Sequence, residues 1–85
     1  MEQDNILIMS DKPPEKFVYS ILLMFEKFEE IIISTREGYM DKVERIVRLF
    51  SNLGIEEIER NHTTADHDDK TIDVVTVKLR NPNRM

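Results

Sequence analysis

The fold class this sequence predicts is α/β: a two-layer α+β sandwich in the order βαβαββ, with two helices on one face of a mixed four-stranded sheet. Three features lead there. Two short apolar runs, Ile6–Met9 and Ile31–Ile33, are each followed by a stretch with apolar residues at helical spacing. The last third of the chain then carries two strand-like segments joined by a polar loop. A strand, a crossover helix and a second strand imply a parallel pair, and the closing segments imply a long hairpin.

Each element has a local reason. Ile6-Leu7-Ile8-Met9 is too short for a helix and suits a strand buried on both faces. Ser10-Asp11-Lys12-Pro13-Pro14 ends it, and Ser10 or Asp11 is placed to cap a helix that opens on proline. From Pro14 to Phe28 the apolar positions Phe17, Val18, Ile21, Leu22, Phe25 and Phe28 recur with helical period, and Leu23 and Met24 widen the stripe. Glu30 to Thr35 holds three consecutive isoleucines, which favours a central strand covered on both faces. Arg36-Glu37-Gly38-Tyr39 breaks that strand. A second helix is expected from Met40 to Leu53, with Val43, Ile46, Val47 and Phe50 inward and Gly54 as its stop. Leu49 and Leu53 lie to one side of that stripe; a wide core stripe is their ordinary reading, and a face toward a partner is the alternative. Ile55 to Thr64 reads as a polar strand with Ile55 and Ile58 inward, and Ala65 to Lys70 as a solvated loop. In Thr71–Arg80, Val75, Val77 and Leu79 alternate with Thr76 and Lys78, while the opposite parity of Ile72 and Val74 hints at a bulge or a covered second face.

Composition narrows the function. The 85 residues are expected to form a single domain, 1–85, with loose ends at 1–5 and 81–85. Apolar residues make up 40%, enough for a small core, so disorder is not expected. Cysteine is absent, which removes disulfides, thiolate metal sites and cysteine nucleophiles. No apolar run approaches the roughly 20 residues of a membrane helix. The acidic start, Met1 to Asn5, lacks the basic region of a secretory signal, so a cytoplasmic protein with no membrane partner is expected. Lys and Arg number 12 against 17 Asp and Glu, giving a net charge of −5 that works against tight nucleic-acid binding.

Specific stretches resemble the Alba family of small archaeal chromatin and RNA-binding proteins. That family's first strand leads into a pattern close to Ile-Gly-Lys-Lys-Pro-x-x-x-Tyr-Val. The matching stretch here is Met9-Ser10-Asp11-Lys12-Pro13-Pro14-Glu15-Lys16-Phe17-Val18. The family's second strand runs through Glu-Ile-x-Ile-x-Ala-Arg-Gly into a helix bearing a lysine. Here it reads Glu30-Ile31-Ile32-Ile33-Ser34-Thr35-Arg36-Glu37-Gly38, followed by Lys42. The resemblance spans residues 5 to 80. It implies a dimer, homomeric or formed with an Alba-like paralogue, that grips DNA or RNA through basic loops and hairpin arms. It also implies a nucleoid-associated location. Carried over position by position, it assigns nucleic-acid binding to Lys12, Arg36 and Lys42; Lys16 is added as a basic neighbour that the pattern does not require.

Departures from the pattern matter too. Asp11 stands where the family has the first lysine of its pair, its acetylation site, and Glu37 intervenes before Gly38. The hairpin tip, basic in the family, reads Asp66-His67-Asp68-Asp69-Lys70 and would repel phosphate. This motivates an alternative function: an acidic paralogue that acts as a protein-interaction or assembly-modulating partner with little nucleic-acid binding of its own. The tip together with His62 also admits a divalent cation bridging to RNA phosphates, but it lacks the glycine and terminal glutamate of a calcium loop, and a solvated turn is the ordinary reading. No metal site, cofactor or catalytic residue is therefore assigned. The histidines and serines stand in no nucleophile–base arrangement. On the second helix, Asp41 and Glu44 are spaced to pair with Arg45 and Arg48.

Overall fold

The computed structural model describes residues 5–82, apart from the side chain of His67. Its elements are β1 (Ile6–Ile8), α1 (Pro14–Met24), β2 (Glu30–Arg36), a 3-10 turn (Glu37–Tyr39), α2 (Met40–Ser51), β3 (Glu56–His67) and β4 (Lys70–Arg80). The sheet order is β1-β2-β4-β3, with β1 parallel to β2 and the other neighbours antiparallel. This is the predicted βαβαββ order and mixed sheet.

The core lies between the helices and one face of the sheet. Ile31 and Ile33 from β2 and Val75, Val77 and Leu79 from β4 meet Phe17, Ile21 and Phe25 from α1 and its end, and Val43, Ile46 and Phe50 from α2. The rings of Phe25 and Phe50 meet edge to face, 6.4 Å apart at 83°. The alternation in β4 thus reports its buried face faithfully.

Several local expectations are corrected. β1 and β2 are not covered on both faces: Ile8 is 73% exposed, because among the described residues nothing packs against the sheet opposite the helices. A continuous apolar run was an ambiguous signal, and here only alternate residues of it (Leu7 and Met9; Ile31 and Ile33) face the core. Neither Ser10 nor Asp11 caps α1, whose N-cap is Pro13 without a side-chain bond. That helix stops at Met24 rather than Phe28, since the Glu26 and Lys27 amides bond to Leu23 and Met24 three residues back and tighten the chain into a turn. α2 ends at Ser51. Beyond it the Ile55 amide reaches back to the Phe50 carbonyl at 2.9 Å, and Gly54 supplies the left-handed φ of 87° that the reversal needs.

β3 holds the largest departures. A β-bulge between Glu57 and Glu59 leaves Ile58 unpaired and 43% exposed instead of inward. The bulge also changes the parity of the strand. Glu57 opposes Leu79, but Arg60 opposes Val77 and His62 opposes Val75, so even-numbered positions then share the helix side. The expected loop 65–70 is mostly strand: pairing continues to His67↔Lys70, and only Asp68 and Asp69 turn the chain, at φ 49° and 64°. Two consecutive positive φ values are those of a type I′ hairpin turn. Polar residues exposed on both faces left no hydrophobic alternation from which to read this extension. At the termini, Asn5 and Asn81 are tied to the body, the first bonding through its side chain to the Glu30 carbonyl and the second through its amide to the Glu29 carbonyl. Pro82 is an exposed turn residue, and the rest of the ends expected to be loose, 1–4 and 83–85, lies outside the described residues.

Candidate nucleic-acid interface

The parallel register Ile8↔Ser34 sends the segment after β1 and the end of β2 out of one rim of the sheet. A bond from the Met9 amide to the Ser34 carbonyl, 2.9 Å, extends that pairing to the rim itself. Lys12 emerges in the first of these segments and Arg36 closes the second. Beneath Arg36, the buried Thr35 donates its hydroxyl to the Arg36 carbonyl at 3.0 Å. Lys42, in the first turn of α2, donates from Nζ to the Lys12 carbonyl at 3.1 Å and lies 5.1 Å from the centre of the Tyr39 ring. Lys42 thereby links the β1–α1 segment to the start of α2 while keeping its charge at the rim. Lys16 sits in the first turn of α1, exposed. The structure joins Lys12 to Lys42 and places Arg36 at the same rim; among the described residues no hydrogen bond or ion pair links the Lys16 side chain to them.

Among the described residues, none of Lys12, Lys16, Arg36 and Lys42 forms an ion pair. Other cations do. Arg60 pairs with Glu44 and Glu57, both at 2.7 Å, Arg80 with Glu29 at 2.8 Å, and Lys78 with Glu59 at 3.9 Å. Hydrogen bonding to Glu57 and then to Glu44 raises the pKa of the Arg60 guanidinium above its ordinary value, so it stays charged at any working pH. The pairing expected along α2 is corrected accordingly: Glu44 reaches across to β3 instead of along its own helix to Arg48. The bulge makes this possible by turning Arg60 toward the helix side.

The hairpin rises from the same rim. β2 ends at Arg36↔Val74, while β3 and β4 continue together to His67↔Lys70. Residues 64–73 therefore form a two-stranded ribbon with its acidic turn outermost. At about 3.3 Å per residue, Asp69 stands roughly 16 Å beyond Arg36. Within the ribbon Thr71 donates its hydroxyl to Asp66 Oδ1 at 3.3 Å.

Two features escaped sequence reasoning. His62 faces Asp73 and Glu37, with Nε2 at 3.5 and 3.6 Å from their carboxylate oxygens. Only the cross-strand register, which the bulge sets, could have revealed this. The second is a shallow cavity of about 280 Å³ on the sheet face away from the helices, lined by Ile6, Ile32, Ser34, Asn61, Thr76 and Lys78 among others. The apolar runs of β1 and β2 had been assigned a cover there. Among the described residues no helix is long and apolar enough to cross a membrane.

No family model matches the chain, and no curated protein does. Among solved structures it is similar to Alba from Thermoplasma volcanium, with a TM-score of 0.73 over 89% of this chain and 99% of that one, at 17% sequence identity. At that identity the likeness lies in the course of the backbone: strand order, crossover and long hairpin together give this chain an Alba-like fold.

Proposed function

We propose that this chain binds the phosphate backbone of DNA or RNA without reading base sequence, as a dimer, through Lys12, Arg36 and Lys42, with Lys16 contributing from α1. The observation that carries this reading is the rim itself: three cations from separate stretches of an Alba-like fold, none of them engaged by an acid among the described residues. Phosphate contacts supply sequence-independent affinity, and basic side chains on rigid element ends suit them. Dimerisation would double the set. Leu22 and Leu49 on the helices, Leu53 in the turn after α2 and Ile8 on β1 are exposed apolar side chains of the kind a subunit interface covers. The role is that of a binding protein, cytoplasmic and nucleoid-associated, rather than an enzyme.

The test is a gel-shift titration with duplex DNA and duplex RNA. The six rim cations of a dimer lower affinity roughly 1,000-fold or more between 50 and 200 mM salt. The Lys12→Ala, Arg36→Ala double variant, which removes four cations from the dimer, weakens binding and flattens the salt slope by about 4. Binding that is indifferent to salt and to these substitutions would exclude the rim as the grip.

The exposed acidic tip, with Asp66, Asp68 and Asp69 at the end of the ribbon, supports a second reading. In it the arm docks on a basic surface of an Alba-like paralogue, and the chain modulates assembly with little nucleic-acid binding of its own. Crosslinking to such a paralogue then falls when these residues become asparagine; an unchanged yield removes this reading.

A further inference from the structure

We propose that Glu37, His62 and Asp73 form a site for a divalent cation, with zinc the best-matched ion. The three residues come from the 3-10 turn, β3 and β4, and their ligand atoms all lie within 4.8 Å of one another. His62 Nε2 stands 3.6 Å from Glu37 Oε2 and 3.5 Å from Asp73 Oδ1. These separations exceed the roughly 2.7–3.2 Å of an N–H···O hydrogen bond. They match the edge of a coordination tetrahedron: metal–ligand bonds of about 2.0–2.2 Å set neighbouring ligand atoms roughly 3.3–3.6 Å apart.

The donor set selects the class of ion. Neutral imidazole suits zinc-type ions, and carboxylates neutralise their charge. Calcium would require about six to eight oxygens, more than the site offers. Three protein ligands leave a fourth position to water, and the side chains, each more than half exposed, give that water access. The β-bulge is what aims His62 here, since without the change of parity Asn61 would face this side. A bound ion would clamp the base of the ribbon to the segment that opens α2. It would also cancel two carboxylate charges beside Arg36, because Glu37 follows Arg36 in sequence and Asp73 adjoins its cross-strand partner Val74. The competing arrangement is His62 facing the two carboxylates without any metal.

Isothermal titration of the full chain with zinc chloride separates the two. The expected result is one ion bound per chain, with affinity falling at least about tenfold in His62→Ala and in Asp73→Asn. His67→Ala and the Asp66→Asn, Asp68→Asn, Asp69→Asn triple variant should bind zinc as the wild type does. Zinc should also raise the thermal midpoint of the wild type and leave that of His62→Ala where it was. Magnesium chloride should give neither heat nor shift. The proposal is overturned by the absence of saturable zinc binding, by binding that survives His62→Ala, or by binding lost in His67→Ala, which would move the ion to the tip.

Discussion

The rim and the tip of the hairpin belong to the same end of the sheet, yet they carry opposite charge and are held in opposite ways. At the rim, Arg36 closes β2, Lys42 opens α2 and Lys12 lies in the bend between β1 and α1, which a 3.1 Å bond from Lys42 ties to α2. At the tip, Asp66, Asp68 and Asp69 ride on a ribbon exposed on both faces, supported by ladder bonds and a two-residue turn. A net charge of −5 therefore says little about what a polyanion meets on approaching the rim. The Debye length is about 8 Å at physiological ionic strength, so charges roughly 16 Å further out are largely screened there. Packing holds the rim, and distance weakens the opposition of the tip acids, while Glu37 and Asp73 stand beside Arg36.

The sharpest way to break this contrast is to remove what holds the rim. Phe50 is fully buried, packs on Phe25, and accepts the Ile55 amide at the end of α2. Phe50→Ala should cost about 3–5 kcal/mol, a large part of the roughly 5–15 kcal/mol available to a small protein. Urea denaturation at neutral pH measures it. Neutralising the three tip aspartates should move the same curve by no more than about 0.5 kcal/mol. A loss under about 1 kcal/mol for Phe50→Ala would mean that the rim does not depend on this core.

The same contrast explains what the sequence disclosed. Where apolar and polar residues alternate over a buried face, the periodicity was legible: Val75, Val77 and Leu79 named the inner face of β4, and Val43, Ile46 and Phe50 that of α2, whereas the continuous apolar runs of β1 and β2 hid which single face is buried. Lys12 and Arg36 were legible as rim residues because chain order alone, strand then loop, sends both to one edge. Lys42 was named as basic, but its bond to the Lys12 carbonyl depends on how α2 packs, which no local pattern encodes. The long hairpin was legible, but its extension through residues 65–67 and Lys70 was not, because residues exposed on both faces carry no hydrophobic alternation. Ile58, Arg60 and His62 were out of reach for one shared reason: a single unpaired residue inverts the parity of everything after it.

A smaller effect would sharpen the comparison. If the tip acts on polyanions only at a distance, the Asp66→Asn, Asp68→Asn, Asp69→Asn variant should bind duplex several-fold more tightly at about 10 mM salt, where the Debye length is near 30 Å, and within about twofold of the wild type at 0.15 M. Fluorescence anisotropy across that salt range measures it. A gain that persists at 0.15 M would place the tip in direct contact with the nucleic acid. The absence of any gain at 10 mM would remove the electrostatic account of the tip.

The smallest effect tests whether ribbon and body are separate in stability as well as in charge. Asp69 holds φ 64° at the second position of the turn, where a short polar side chain is tolerated and glycine is favoured. Asp69→Gly should stabilise the turn by about 0.3–1 kcal/mol, and Asp69→Asn, which loses the same charge but keeps the side chain, by less. Because the ribbon buries little apolar surface, it is expected to open locally without unfolding the sheet. Amide hydrogen exchange should then slow by about two- to fivefold between residues 64 and 73 and stay unchanged at Ile31 and Ile33 in the core of β2. Equal slowing in both places would show that arm and body open as one unit, and the rim would then owe part of its rigidity to the hairpin that rises beside it.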